Sequence, residues 1–331
     1  MEKQEQRIRS WTSYWATGAR HSCTGSFELS GEGGVATFWR RQFAHLAAGA
    51  TIVDLGTGGG GLLAEARVHP GYQRWRLIGV DQAEAQPTTA LDTNDDPGID
   101  LRTATRMEAT GLMSGQADLV TSQFGIEYGD APAVQAECLR LLAPQGRLAF
   151  VIHHSASAIS QVGRDELATQ EQLLGEEGIL SLTLALLPHM AAARSGLQPG
   201  MEARKALGRF NDAMNHAREM AEVLQAPDLL VEAATFVQRA VSTVSTANRN
   251  AVAIRLDAYR EALELAKVRT EEQLDAAMDR RQLSAFMEPF QTHGFDIRFT
   301  ELRESVHLVG WAVEGRAAHG DQSSPNSEAP S

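Results

Sequence analysis

Residues 51–61, TIVDLGTGGGG, leave this chain little choice of local architecture. Thr51, Ile52 and Val53 form a short β-branched run, the composition of a buried strand. The run stops at Asp54, and Gly56, Gly58, Gly59, Gly60 and Gly61 follow almost at once. Residues 62–66, LLAEA, then read as the first turns of a helix. A strand turning sharply through glycines into a helix brings bare backbone close to a ligand, because no Cβ stands in the way. The plainer alternative is a tight strand-to-helix turn that holds nothing.

Two ligand classes use such a turn. Gly56-x-Gly58-x-x-Gly61 has the spacing of a dinucleotide-binding loop, with Asp81 further along the chain. The same residues also read as DxGxGxG, through Asp54, Gly56, Gly58 and Gly60. Asp54 separates the two readings. A carboxylate at the strand end repels a pyrophosphate but attracts a ligand with a cationic amino-acid end.

Bulk properties narrow the field further. The 331 residues are 43% hydrophobic and 22% charged, an ordinary globular balance that allows one large domain or one domain with a sizeable insertion. A net charge of −12 argues against a general nucleic-acid binder, although a local basic patch remains compatible with it. Cys23 and Cys138 are far apart, so neither a disulfide framework nor a cysteine zinc site is expected. The start, MEKQEQRIRS, has no apolar signal region, and no apolar run approaches ~18 residues. A cytoplasmic protein without a membrane anchor is the expectation.

Taken in order, residues 1–34 crowd Trp11, Tyr14, Trp15, His21, Cys23 and Phe27 among glycines. This leader reads either as a lid across a ligand pocket or as a helix packed on the main domain by Trp11 and Trp15, at i and i+4. Residues 34–48 look helical, with Val35, Phe38, Trp39, Phe43 and Leu46 on one face. After the glycine loop, residues 75–80 read as a second strand ending at Asp81, where an acid can accept both ribose hydroxyls of an adenosine. Residues 83–91 read as a weak helix, 92–98 as a turn, 99–103 as a third strand, and 117–122 as a fourth. A helix over 133–142 buries Val134, Cys138, Leu141 and Leu142, with the cysteine as a small core residue. The fifth strand, 147–152, ends at His153 and His154. Strands alternating with helices imply a doubly wound parallel sheet. From 155 to 292 the alternation gives way to helices over 164–174, 180–193, 202–224, 228–267 and 271–291. Residues 294–299 and 306–313 then read as an antiparallel strand pair. The expected domains are a leader at 1–34, a core at 35–154, a helical insertion at 155–292, a terminal strand pair at 293–315, and a disordered tail at 316–331.

With these elements laid end to end, the chain resembles a class I S-adenosylmethionine (SAM)-dependent methyltransferase of the kind that acts on small molecules. The resemblance rests on VDLGTGGG at 53–60, the acid of IGVD at 81, ADLVTSQFGIE at 117–127, LRLLAPQGRLAFV at 139–151, and the closing GFDI and HLVGW segments. It implies a Rossmann-like α/β sheet, mostly parallel with a terminal antiparallel pair, plus a large helical insertion. It also implies that Asp54, Gly56, Thr57, Gly58 and Gly60 hold the methionine and ribose portion of SAM. Asp81 would take the ribose hydroxyls, while Gln123 and Phe124 line the cofactor floor. The family often places an acid after strand three to meet the adenine amine. Here that region reads Thr105-Arg106-Met107-Glu108, leaving Met107 to pack on adenine and Glu108 as a substitute acid. Against this stand two other readings, a SAM-binding protein without chemistry and an NAD(P)-dependent oxidoreductase using the same loop. The strand pair after the insertion is foreign to the latter.

Methyl transfer requires alignment, exclusion of water and, for some acceptors, removal of a proton. The candidate bases are Glu127, Tyr128, His153 and His154, at the ends of strands four and five, together with His21 if the leader is a lid. Adjacent histidines send one side chain inward and one outward, so at most one of His153 and His154 acts. His153, His154 and Glu127 lack a further ligand, so no metal is expected. Tyr14, Trp15, His21 and Tyr128 are the expected lid or substrate contacts. The acceptor is expected to be a small, partly apolar molecule with an oxygen or nitrogen nucleophile, and the helical insertion offers a cap or homodimer surface.

Overall fold

The computed structural model describes residues 2–19, 22, 32–72, 74–88, 91 and 98–318. Seven strands form one sheet in the order β3-β2-β1-β4-β5-β7-β6. Strands β1 (Thr51–Leu55), β2 (Arg76–Val80), β3 (Ile99–Arg102), β4 (Ala117–Gln123) and β5 (Leu142–His153) run parallel. Strand β7 (His307–Ala317) slots antiparallel between β5 and β6 (Phe295–Glu304). The order turns outward from β1 in both directions, so the carboxyl ends of β1 and β4 diverge around a crevice.

Both faces of this sheet are buried, and the side-chain alternation shows how. Ile52, Leu77, Leu119, Ala149 and Val151 pack beneath α2 (Gly34–Phe43) and α3 (Gly61–Arg67). Their neighbours Val53, Leu55, Ile78, Val120, Phe150 and Ile152 pack beneath α4 (Ala131–Leu141) and α10 (Arg280–Thr292). Strands buried on both faces read as continuous apolar runs, which is how they appear in the sequence. Cys138 is fully buried in the second layer, and burial pushes its thiol above the usual range.

Between β5 and β6 the chain builds a bundle with its own core. Helices α5 (Ala158–Leu174), α6 (Ile179–Arg194), α7 (Met201–Val223), α8 (Asp228–Thr243) and α9 (Arg249–Ala276) enclose Leu180, Leu187, Phe210, Met214, Val237 and Leu256. Three expectations change here. The helix expected over 228–267 is two helices, because Asn248 accepts from the Ser245 amide and donates to the Thr243 carbonyl, competing with the helical ladder. The helix expected over 271–291 is also two, since Asp279 and Gln282 form a capping box that starts α10 afresh. Moreover, α10 packs on the sheet through Leu283, Phe286, Met287 and Phe290, so the inserted bundle ends at α9 rather than at 292.

Two further differences concern edges. The segment expected as a helix over 83–91 has no helix among its described residues, and Asp81 accepts the Ala83 amide instead. The terminal strands run on to Ala317, past the expected boundary at 315. His21, Cys23, Phe27 and the tail from 319 lie outside the described residues.

Candidate active site

Helix α1 (Glu2–Trp15) lies across the crevice. Gln4, Arg7, Ile8, Trp11 and Trp15 recur at helical spacing, and all five line one cleft of about 520 Å³. The opposite wall comes from strand ends and their loops: Gly56, Asp81, Ala83, Met107, Phe124 and Tyr128. No lining residue comes from α5–α9. The bundle touches the site only indirectly, with α9 packed on α1 and on the 3-10 turn Ile126–Tyr128.

The glycine loop closes the crevice from below. Gly56, Gly58 and Gly60 have φ of 70°, 55° and 82°, a region open to glycine at little cost. A Cβ on Gly58 would stand 2.5 Å from the Trp15 indole, so the aromatic ring rests directly on bare backbone. Trp15 is 8% exposed and stacks on Trp11 at 6.1 Å. Beneath the ring, a narrow extension of about 20 Å³ reaches Asp54, Thr57, Leu62, Gln123 and Phe124.

Two acids govern the electrostatics. Asp54 ends β1 almost fully buried, accepting from the Thr121 hydroxyl at 2.8 Å. Burial pushes its carboxyl up to about 7, against the Thr57 and Thr121 side chains and with the Asp81 charge adding to the rise. Asp81 accepts the Gly58 amide at 2.7 Å and the Ala83 amide at 2.8 Å. Burial raises its pKa as well, with those two amides opposing. Each oxygen keeps a lone pair for a further donor.

The residues expected at the adenine end lie on the cleft wall. Met107 lines the cleft beside Glu108, whose carboxylate accepts the Asp130 amide at 3.0 Å and pairs with Arg106 at 3.3 Å. Burial is the largest influence on Glu108, yet those partners hold its pKa below the usual value. Gln123 accepts from Trp39 Nε1 at 2.5 Å, so its side-chain oxygen is already engaged. Phe124 is buried with φ of 53°, a left-handed conformation that costs a non-glycine residue ~1–2 kcal/mol. Such strain collects at functional sites.

The candidate bases separate clearly. His153 is fully buried, and its Nδ1 lies 2.7 Å from Glu127 Oε1, which also accepts the His153 amide at 2.8 Å. With an ionised Glu127, Nδ1 donates and Nε2 carries the lone pair. Neither His153 Nε2 nor Glu127 Oε2 has a hydrogen-bond partner among the described residues. Phe124 and Tyr128 stand between this pair and the cleft, with ring centroids 4.5 and 5.9 Å from His153. His154 goes the other way. It stacks on Trp311 at 4.4 Å and its Nδ1 accepts the Ala156 amide, so it is not brought to the cleft. Tyr14 packs edge-on against Trp15, with the Arg269 guanidinium over its ring. His21 lies outside the described residues. Arg7, Trp11, Arg106 and Asp130 are cleft residues that strand-end reasoning passed over. The spacing of Gln4, Ile8, Trp11 and Trp15 was the signal that could have found the helical wall.

Residues 53–150 match a family described as a methyltransferase domain. No curated protein gives a significant match. Among solved structures, the chain is similar to a geranyl diphosphate methyltransferase in complex with geranyl diphosphate and sinefungin, at 23% identity and TM-score 0.31 over 36% of this chain and 43% of that one. It is also similar to the geranyl diphosphate C-methyltransferase of Streptomyces coelicolor A3(2), at 20% identity and TM-score 0.30 over 36% and 43%. A third is an S-adenosylmethionine-dependent methyltransferase from Mesorhizobium loti, at 27% identity and TM-score 0.30 over 35% and 53%. The chain thus spans about half or less of the length of each.

Proposed function

We infer that this chain, whose residues 53–150 match a methyltransferase domain, is a class I SAM-dependent methyltransferase that transfers a methyl group to an oxygen or nitrogen atom of a small-molecule acceptor. The observation that carries the reading is the cleft of about 520 Å³ with Gly56 and Asp81 on one wall and the leader aromatics on the other. Its volume lies within the ~300–1,000 Å³ of small-molecule sites. No helix among the described residues is long and apolar enough to cross a membrane.

The residues present fit SAM. The carboxylate of Asp81 retains acceptor capacity for ribose hydroxyls, Met107 offers an apolar wall, and Asp54 offers a negative charge to an ammonium. Gly58 offers backbone without a side chain, though Trp15 covers it in this conformation. SAM supplies a methyl group already activated on a sulfonium. The protein must bring an acceptor into line and keep water out. Trp11, Trp15, Phe124 and Tyr128 provide that apolar enclosure.

For a hydroxyl acceptor the proton goes to His153 Nε2, with Glu127 holding the imidazole in the required tautomer. Phe124 or Tyr128 must then shift to open the path. An amine that arrives neutral needs positioning alone.

The test is a metabolite extract incubated with methyl-labelled SAM and read by mass shift. Label in a small molecule supports the reading, and label confined to RNA or protein would overturn it. SAM binding without any labelled product would identify a binding protein that does no chemistry. On a hydroxyl acceptor, His153→Ala should lower kcat by ~10²-fold or more while leaving SAM affinity intact. An unchanged kcat would remove His153 as the base.

A further inference from the structure

At the far end of the sheet, charge accumulates against the trend of this acidic chain. Strands β5, β7 and β6 lie side by side, with Arg147 opposite Arg316, Arg298 opposite Glu314, and Asp296 opposite Arg316. Directly opposed residues share a face, as do residues two apart on a strand. All five side chains therefore project from one face, beside Arg41 near the end of α2. Together they line a cleft of about 470 Å³.

Four guanidinium groups meet two carboxylates there, which leaves an excess of two positive charges. Arg41 pairs with Glu314 at 3.0 Å, while Arg298 and Arg316 share Asp296 at 3.4 and 3.7 Å. Arg147 has no carboxylate within 4.0 Å among the described residues, and donates to Gln42 Oε1 at 3.0 Å. It is only partly exposed. Burial lowers its pKa, and Arg316 and Arg41 push the same way against the pull of Glu314. Three of the four guanidinium groups thus have an acid beside them, and the most enclosed one, Arg147, does not.

We propose that this cleft is a second binding site, for a compact oxyanion of the phosphoryl class carrying at least two negative charges. The planar donor forks of Arg147, Arg316 and Arg41 suit the oxygens of such a group. The cleft is separate from the cofactor crevice. Arg147 lies midway along β5 and His153 at its end, six residues or ~20 Å apart along the strand.

Pyrophosphate is the probe, titrated calorimetrically into the full chain at about 0.15 M salt, where long-range attraction is screened. One site per chain is expected. Arg147→Gln and Arg316→Gln should each weaken it about tenfold or more, the loss of a charge-assisted hydrogen-bonding group. Arg147→Lys should lie between Arg147→Gln and the unaltered chain. Binding of S-adenosylhomocysteine, at the other end of the sheet, should be unchanged in every variant and shows that each is folded. It also keeps the outcome distinct from that of the methyl-transfer reading. No heat at millimolar pyrophosphate overturns the site, as does affinity that ignores both glutamine substitutions. Citrate bound tightly where pyrophosphate is not would overturn the phosphoryl assignment.

Discussion

Replacing Trp15 by alanine separates two roles for the leader, because each role changes cofactor affinity in a different direction. Trp15 rests on Gly58, on the backbone expected to carry the amino-acid end of SAM. If the ring must leave before SAM enters, the measured affinity is the intrinsic affinity multiplied by the fraction of open molecules. Burying a whole tryptophan, ~150–250 Å² at ~25 cal/mol per Å², stabilises by about 4–6 kcal/mol. With the stack on Trp11 taken to persist in an open leader, the part specific to closure is smaller, roughly 2 kcal/mol. That leaves about 3% of molecules open; removing the ring brings this to about half, so Trp15→Ala should raise affinity by ~15-fold. The assay is calorimetric titration with S-adenosylhomocysteine, with a thermal melt as the folding control. Trp15 belongs to a small cluster with Ala83 and Ala85, apart from the sheet core, so the melting temperature should move little. Unchanged or weakened binding at an unchanged melting temperature would refute the argument. Trp15 would then be a wall of the occupied site rather than its plug.

Two further perturbations address the buried acids. Asp54 has its carboxyl raised from 3.8 to about 7, so the native state holds a proton that the unfolded state has lost, and stability falls as pH rises from ~4 to ~7. A cationic ligand end draws out that proton, so S-adenosylhomocysteine affinity should fall by up to ~tenfold per pH unit below about 7. Asp54→Asn, which keeps the Thr121 contact, should remove both slopes; a pH-independent affinity in the unaltered chain would contradict this. Glu127→Gln exchanges the ionised acceptor of His153 for a neutral one, at a cost of ~1–3 kcal/mol in a urea melt. It should lower kcat on a hydroxyl acceptor more than KM, whereas a change in melting alone would mark Glu127 as structural.

The parts of the fold visible in the sequence were those that depend on short stretches. Residues 51–61 and the strands ending at Asp81 and His153 were readable because a strand buried on both faces is a plain apolar run. The breaks at Asn248 and Asp279 were hidden for a physical reason. Each is a side chain capturing backbone groups within a region of unbroken helical periodicity, and the apolar stripe does not register it. Asp279-x-x-Gln282 did carry a capping signal, outweighed by the surrounding pattern. Within the cleft, the turn through Gly56, Gly58 and Gly60 was legible because its positive φ angles call for glycine, whereas the roles expected of Asp54 and Asp81 rest on charge and on the resemblance. The one sequence ground for preferring His153 over His154 as the base was that it ends β5. Their difference is set by Glu127 and by Trp311, residues distant in sequence from at least one of the pair.

The leader is also the route by which the bundle influences the crevice. Glu272 of α9 accepts from Trp11 Nε1 at 2.9 Å and pairs with Arg7, two residues that line the cleft. Arg269 donates to the Ser10 carbonyl at 3.0 Å, and Arg9 pairs with Glu261. The stripe of α1 that is fixed to the bundle through Arg7 and Trp11 thus carries, one turn on, the Trp15 ring that rests on Gly58. Glu272→Ala removes the two contacts nearest the cleft, which together favour the docked leader by roughly 1 kcal/mol once solvent screening of half-exposed Arg7 is allowed for. Affinity for S-adenosylhomocysteine should rise by about fivefold, in the direction of Trp15→Ala and by less. Because both changes act on one closing equilibrium, Glu272→Ala should add little in a chain that already carries Trp15→Ala. Full additivity would show that the two contacts act on separate events. A fall in affinity for Glu272→Ala alone would show that α9 holds the leader in a binding posture, not a closed one.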